Sequence, residues 1–261
     1  MMKVEILNPD TVRNLYKNHG QFACVCYDTN EKHAERVGEA CFDSGHMSGS
    51  RCEYIKFKIT GIDRGTAEQV MRHEIGTDVP FQMMDNYSFS ELSDLIANLP
   101  QDDIVKNMAS FRYIDKSGFE YSIPQTIQNC DEANRLYYEL MGLINRYREM
   151  IKSSLIENGV PEKRAVQDSN FVLPRATESS LVIGFTPEAL IHFCHKRLCT
   201  RAQEFIRELA EQMKVEVSML NERLGNELVP HCKHLLWCPE GKNCCGRART
   251  KEQLLEALSN K

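Results

Sequence analysis

The sequence predicts an α+β protein, in which a mixed or antiparallel sheet of short strands is combined with long helices. Two segments carry this prediction. Glu53–Ile59 alternates apolar and polar residues with a period of two, as a half-buried strand does. Asp131–Asn158 is amphipathic over a long stretch and ends in Asn-Gly-Val-Pro, which is typical of a helix terminus. The chain has 261 residues, of which 42% are hydrophobic, so it can form one large domain with a packed core.

The first part of the chain is predicted to alternate strands and helices. A strand is expected first, then two helices, then the alternating strand just described, and then a third helix that follows an Asp-Arg-Gly turn. These elements are expected over Lys3–Leu7, Thr11–Asn18, Asn30–Ser44, Glu53–Ile59 and Thr66–Glu74.

The remainder is predicted to contain a hairpin, a further strand and another long helix. Asp78–Ile104 differs from its surroundings because it holds six acidic residues and no Lys or Arg, with a short helix expected over Ser90–Asn98. Phe111–Ile123 is expected to be a hairpin that turns at Asp-Lys-Ser-Gly. Leu181–Phe185 is expected to be a strand. Thr186 then caps a helix with Pro and Glu in its first turn, and the apolar spacing continues to Leu224.

Composition limits the classes of function. The net charge is −5, with 32 basic and 37 acidic residues, which argues against general nucleic-acid binding because phosphate backbones need a basic surface. A small anionic ligand needs only a few local Arg side chains. No signal peptide and no run of about 18 apolar residues is visible, so a cytoplasmic protein without a membrane partner is expected. The eleven cysteines are then expected to be reduced thiols or metal ligands.

Three groups of polar residues are candidates for a binding site. One lies at the end of a predicted helix, one lies on one face of a predicted strand, and one lies on a predicted helix where residues four apart share a face. They comprise Gln69, Arg72 and His73; Ser110 and Arg112; and Arg197 with Arg201. A guanidinium matches phosphate geometry, and a hydroxyl beside it makes a clamp. Each group alone is equally explained as a solvated helix end, an ordinary hairpin or an amphipathic helix.

The C-terminal tail from Pro230 is rich in Cys and Gly. Cys232, Cys238, Cys244 and Cys245 are candidate ligands of a tetrahedral zinc ion, with His234 as a further candidate. Successive cysteines here are separated by five residues rather than by the two of a strong zinc motif, so unliganded thiols in a loop remain the alternative. Cys194 and Cys199, on the preceding helix, are interpreted as packing residues.

Taken together, the three polar groups resemble the flavin-dependent thymidylate synthase family, which carries a signature of the form RHRxxSxNExSxRY. Arg72–Thr77 matches the beginning of this signature and Asn107–Tyr113 matches its end, with Asp78–Ile104 as an insertion between them. Arg197–Gln203 resembles the R-x5-Q pattern of the family, and Ile206–Ala210 resembles the IRELA stretch that follows it.

Two further segments extend the resemblance. Phe171–Pro174 matches the VLP segment of the family, and Gly45-His46 before the strand Glu53–Ile59 matches its GH loop. The resemblance therefore implies a family domain over residues 1–225, with the insertion at 78–104. It leaves residues 226–261 as a Cys-rich C-terminal appendage.

The resemblance also implies an activity and its site residues. It implies a mixed α/β fold, a homotetramer with shared active sites, FAD reduced by NADPH, carbon from methylenetetrahydrofolate, and conversion of dUMP to dTMP. Expected nucleotide-binding residues are Gln69, Ser110, Arg112 and Arg197, of which the last three are also the candidate catalytic residues. Expected flavin-binding residues are His46, Arg72 and His73.

The chain departs from the family pattern at several positions. The family residues Arg, Glu and Arg are replaced by Glu74, Met108 and Asn170; Asn-Ala-Arg is replaced by Thr186-Pro187-Glu188; and Arg201 stands where a His is common. These departures keep two alternatives open. One is a relative that binds flavin and another pyrimidine nucleotide or catalyses a partial reaction. The other is a non-catalytic nucleotide-binding or regulatory protein.

Overall fold

The structure is a computed structural model, and it describes residues 2–73 and 104–259. Four strands lie in these residues: β1 (Lys3–Ile6), β2 (Ile55–Asp63), β3 (Ile104–Met108) and β4 (Glu178–Phe185). The α-helices of the same residues are α1 (Pro9–Arg13), α2 (Leu15–Cys26), α3 (Ala34–Asp43), α4 (Arg64–Met71), α5 (Gln125–Gln128), α6 (Asp131–Glu157), α7 (Glu162–Ser169), α8 (Pro187–Arg197), α9 (Glu204–Leu220), α10 (Glu222–Glu227), α11 (His231–Leu235) and α12 (Lys251–Ser259).

The four strands form one antiparallel sheet in the order β1-β2-β4-β3, which confirms the predicted α+β class. In β2, Ile55, Phe57 and Ile59 are fully buried while Lys56 and Lys58 are exposed, so the alternation seen in the sequence is the alternation of the sheet faces. None of the helices in the described ranges is both long and apolar enough to cross a bilayer.

Contacts along the chain divide it into two units, which are described separately. The first comprises Met1–Lys3, Ile59–Met71 and Asn107–Val182. The second comprises Val4–Lys58, Arg72–Lys106 and Ile183–Lys261, and so includes the Cys-rich tail. The division predicted after residue 225 stays a prediction.

In the second unit, α2 and α3 cross at two glycines. A Cβ atom added to Gly20 would lie 1.6 Å from the carbonyl oxygen of Ala34, and one added to Gly38 would lie 1.9 Å from that of Tyr16. The two backbones are therefore in direct contact, which only residues without a side chain allow. The ring of Tyr16 packs edge-on against Phe42 at 5.3 Å beside the crossing.

The predicted long helix from Thr186 to Leu224 is wrong in one respect, because the structure divides it into α8, α9 and α10. Thr186 caps α8 as predicted, with its hydroxyl accepting from the Ala189 amide at 3.3 Å. Two further polar caps start the next helices. Gln203 accepts from the Ile206 amide at 3.4 Å, and Asn221 accepts from the Leu224 amide at 3.0 Å. The apolar spacing continues across these caps, so periodicity alone did not reveal them.

The predicted hairpin over Phe111–Ile123 is also wrong. β3 ends at Met108, and the following residues form turns, with one isolated bridge between Tyr121 and Thr177. The side-chain amide of Asn170 donates to the carbonyl oxygens of Phe111 and Ile114, at 2.6 and 3.0 Å. These carbonyls are therefore satisfied by a side chain rather than by a strand partner.

Some predicted features lie outside the described residues. They are Glu74, the short helix over Ser90–Asn98, and all of the predicted insertion except Ile104, which begins β3.

Candidate active site

In the second unit, α8 presents two faces with different chemistry. Leu190, Phe193 and Cys194 are fully buried in the core, which fixes the rotation of the helix. The basic residues His195, Lys196 and Arg197 occupy its last turn, where the negative end of the helix dipole favours positive charge. The core face of α8 therefore holds Arg197 in place at the end of the helix.

The structure brings His73 into the electrostatic field of Arg197. The His73 ring is almost fully buried, lies edge-on to the ring of Phe193 at 5.0 Å, and lies 5.6 Å from the ring of His192. Burial, followed by the positive charge of Arg197, lowers the pKa of His73 to about 3. The imidazole is therefore neutral at physiological pH, and its buried Nε2 has no hydrogen-bond partner within residues 2–73 and 104–259.

Arg197 is a partly buried cation, and burial lowers its pKa. Its Nε is buried without a hydrogen-bond partner, and no carboxylate of the described part of the chain forms an ion pair with its guanidinium. Native proteins pair buried polar groups, so such an arginine is suited to an anionic ligand. Arg72, the residue before His73, is exposed.

Glu188 stands where the family resemblance implies an Arg, and the structure shows a counter-charge for it. Arg51 lies 3.2 Å from the Glu188 carboxylate through Nη2, and its Nε donates to the same oxygen at 3.2 Å. The pair is part-exposed, so its contribution to stability is small. It does offset the negative charge that Glu188 adds, and sequence reasoning missed Arg51 because 137 positions separate the two residues.

His46, also in the second unit, lies in the loop after α3. It lines a shallow cavity of about 500 Å³ together with His33, Arg36 and Tyr27. His19 on α2 packs against the same loop, since a Cβ atom added to Gly49 would lie 3.3 Å from the His19 ring. His73 and Arg197 do not line this cavity, so the structure groups those two residues with each other and not with His46.

The first unit holds the other predicted site residues. Gln69 is half-buried on α4. Ser110 and Arg112 were predicted to share a strand face, but a turn brings them together instead, with the Arg112 amide donating to Ser110 Oγ at 3.3 Å. The Arg112 guanidinium donates from Nε to Gln167 at 3.3 Å and lies 5.4 Å above the ring of Tyr113. Its remaining donors point to no acidic residue in this part of the described chain.

The turn that carries Ser110 and Arg112 is anchored by Arg148 on α6. The Arg148 side chain is fully buried; its Nη2 lies 2.5 Å from Asp115, and its Nη1 contacts Glu149. Lys152 lies 3.0 Å from both of these carboxylates. Burial alone would raise the pKa of Asp115, but the hydrogen bonds from Arg148 and Lys152 hold it at about 2.

Asn170 connects this network to the turn. It accepts from Arg148 Nε at 2.8 Å while donating to the two carbonyls of the turn. The family resemblance implies an Arg at this position. Here the neutral Asn170 side chain instead connects the turn to a cation on α6, Arg148. Sequence reasoning missed Arg148, although its place seven residues after the buried Met141 puts it on the inward stripe of the helix.

The Cys-rich tail packs on the end of α8. His195 stacks on His231 at 5.2 Å, and His234 lies 4.8 Å from His195. A cavity of about 660 Å³ lies here, lined by three of the predicted zinc ligands, Cys232, Cys238 and Cys245.

Two findings bear on the zinc prediction. Cys244 does not line the cavity, while Cys199, interpreted from the sequence as a packing residue, does. No three His, Cys, Asp or Glu side chains in residues 2–73 and 104–259 are grouped closely enough to hold a single metal ion. Zinc binding by the tail stays a prediction.

Comparison with known proteins gives a consistent result. The family model described as "Thymidylate synthase complementing protein" (Thy1) matches residues 11–220. A flavin-dependent thymidylate synthase of Nitratidesulfovibrio vulgaris is 31% identical over 217 residues, which are 81% of this chain and 76% of that protein.

Two further relatives have the same description. A flavin-dependent thymidylate synthase of Clostridium tetani is 26% identical, over 87% of this chain and 83% of its own length. One of Geobacter sulfurreducens is 28% identical, over 82% and 78%. The predicted resemblance is confirmed, and the chain belongs to the thymidylate synthase complementing protein (Thy1) family.

Proposed function

We propose that this chain catalyses the reductive methylation of dUMP to dTMP, with bound FAD, with NADPH as reductant and with methylenetetrahydrofolate as the carbon donor. The observation that carries the proposal is the pairing of a neutral, buried His73 with an Arg197 that has no acidic partner in the described chain. Relatives described as flavin-dependent thymidylate synthases support it. We place the reaction in the cytoplasm.

The residues fit anionic ligands in both units. Arg197 in the second unit and Arg112 with Ser110 in the first present guanidinium and hydroxyl donors, and Gln69 adds an amide; we assign these four residues to the nucleotide, with the first three as the candidate catalytic residues. A phosphate dianion is bound more strongly by a partly desolvated cation than by an exposed one. The chain therefore contributes binding and orientation rather than a nucleophile.

We assign His46, Arg72 and His73 to the flavin. Bound FAD, reduced by NADPH, supplies the hydride of the reaction. The buried and unpartnered Nε2 of His73 is a donor or acceptor for a cofactor group, and the low pKa of His73 keeps this ring uncharged. A neutral ring beside Arg197 does not add a second positive charge to the site, and Arg72 provides a cation for the cofactor phosphates.

The assay that tests this proposal begins with the colour of the purified protein. We expect a yellow protein that oxidises NADPH faster when dUMP is added and that forms dTMP when methylenetetrahydrofolate is also present. A yellow protein whose NADPH oxidation ignores dUMP would instead favour the relative with another pyrimidine substrate. A colourless protein that cannot be loaded with FAD would contradict both enzymatic functions and would favour the non-catalytic alternative.

We also propose that the chain forms a homo-oligomer, most simply the tetramer that the family resemblance implies. The support is α6, in which only Met141 and Arg148 are buried. Its other face exposes a stripe of large apolar residues spaced by three and four positions, which is the pattern of a helix–helix seam. The stripe comprises Leu136, Leu140, Leu143, Tyr147 and Met150, each about half exposed. A single chain leaves this surface in water, and a second copy covers it.

Leu143→Glu tests the oligomer. It places a charge in the centre of the stripe, so we expect light scattering after size exclusion to show a smaller assembly than that of the unmodified chain. Ser153→Glu, an exposed position on the flank of the same helix, is the matched control and should leave the mass unchanged. If both variants keep the mass of the unmodified chain, α6 is not the contact.

A further inference from the structure

Four cysteines converge on a single cavity of the second unit. Cys199 lies in the loop after α8, Cys232 lies on α11, and Cys238 and Cys245 lie in the two turns of the tail that follow. The cavity encloses about 660 Å³, which is much more than one metal ion needs. The loop after α8 and three places in the tail therefore each present a thiol to one space.

The spacing of these thiols points away from a single ion. Zinc holds each thiolate at about 2.3 Å, so two thiolates of one tetrahedral site lie about 4 Å apart. Within residues 2–73 and 104–259, no three metal-binding side chains are grouped closely enough for such a site. An iron–sulfur cluster is likewise held by four cysteine thiolates, but its core of several iron and sulfide atoms separates them more widely. Four thiols on the walls of a roomy cavity match this second arrangement.

The backbone around two of the thiols is also suited to cluster ligands. The Cys238 amide donates to the Arg249 carbonyl at 2.7 Å, which holds the start and the end of this Cys-rich stretch together. Gly241 and Gly246 have positive φ angles of 52° and 81°, which allow the chain to turn tightly there. Tight turns of this kind let cysteines close together in the chain face one space.

The charges around the cavity have the sign that a thiolate-ligated cluster requires. Four cationic side chains line it, Lys196, Arg201, Lys233 and Arg247, against one carboxylate, Glu240. The chain as a whole has a net charge of −5, so this concentration of positive charge is local. Four thiolates bring more negative charge than a cluster core neutralises, and the surrounding cations offset the remainder.

We propose that this cavity binds an iron–sulfur cluster of the [4Fe–4S] type, ligated by Cys199, Cys232, Cys238 and Cys245. The cluster joins the loop after α8 to the tail and thereby orders the end of the helix that carries Arg197. The site does not depend on the proposed thymidylate synthesis, since iron and sulfide are measured without reference to flavin or nucleotide.

The direct test is the composition of the full-length protein, purified without oxygen and reconstituted with ferrous iron and sulfide. We expect about four iron atoms and four acid-labile sulfides per chain, together with broad visible absorbance that bleaches on reduction by dithionite. One zinc per chain with no sulfide would overturn the cluster in favour of a single ion. Protein that takes up neither iron nor sulfide under these conditions would overturn it as well.

A matched pair of variants tests the ligand set. Cys199→Ser should lower iron and sulfide several-fold, because it removes the ligand that lies outside the tail. Cys52→Ser should retain both, because Cys52 is an exposed thiol of the same unit that does not line the cavity. Circular dichroism and size exclusion establish that each variant is folded. Iron and sulfide kept in full by Cys199→Ser would contradict this assignment.

Discussion

Arg197→Ala is expected to lower kcat/KM for dUMP by roughly two to three orders of magnitude. Truncating one partner of a desolvated charge pair costs about 2–5 kcal/mol, and each 1.4 kcal/mol is about tenfold. Arg197 is partly buried, and no acidic side chain of the described chain competes for it, so the ligand phosphate is its partner in the proposed complex. The variant is measured by dUMP titration of NADPH oxidation and of dTMP formation.

Two comparisons make the Arg197 result specific. Arg197→Lys keeps the charge but loses the planar fork, so we expect an intermediate activity. Arg13→Ala removes an exposed guanidinium of the same unit, whose partner is Asp10 on its own helix, and should leave kcat/KM unchanged. If Arg197→Ala keeps the full kcat/KM, another residue holds the phosphate, and the assignment of the site to the end of α8 is wrong.

Arg148→Met is expected to destabilise the protein by about 1–3 kcal/mol, because it leaves the buried Asn170 oxygen without its donor, while the part-exposed Asp115 and Glu149 keep Lys152. A change of 1 kcal/mol shifts the melting temperature by roughly 2–4 °C in a domain of this size, so the expected decrease is on the order of 5 °C. Thermal unfolding followed by circular dichroism measures it. The change also removes the hydrogen bond to Asn170, so the turn with Ser110 and Arg112 should lose order.

Arg146→Met is the control for this variant. It replaces an exposed arginine two positions earlier on α6 and should change the melting temperature by no more than about 2 °C. A value for Arg148→Met within that range would mean that the buried ion pairs only balance their own desolvation. The turn would then have to be held by Asn170 and Lys152 alone.

Local patterns in the sequence were sufficient for many elements of the fold. The alternation in β2, the amphipathic α6, and the Thr-Pro-Glu start of α8 are each set by residues close together in the chain. The hairpin failed for a non-local reason, because the carbonyls of Phe111 and Ile114 are bound by Asn170, more than 50 positions away. No local pattern contains that information.

In the candidate site, too, some features follow from local sequence and others depend on residues far apart in the chain. His73 and Arg197 were selected through family resemblance, and the structure brings them close enough for the charge of Arg197 to lower the pKa of His73. Spacing could not have shown this, because more than a hundred residues separate them. Arg51 and Arg148 were missed because each acts on a partner that folding supplies, the carboxylate of Glu188 or the turn at Asp115. The departures at Glu188 and Asn170 are therefore accommodated by cations that a motif comparison does not examine.

The crossing of α2 and α3 at Gly20 and Gly38 also affects the position of the loop that carries His46. Because the backbones touch there, neither helix can slide along the other without a clash. His19, adjacent to Gly20, packs against Gly49, three residues after His46, so the crossing fixes the helix on which the loop of this proposed flavin residue rests. A methyl group introduced at either glycine would therefore separate α2 from α3, and it would also shift the loop that carries His46.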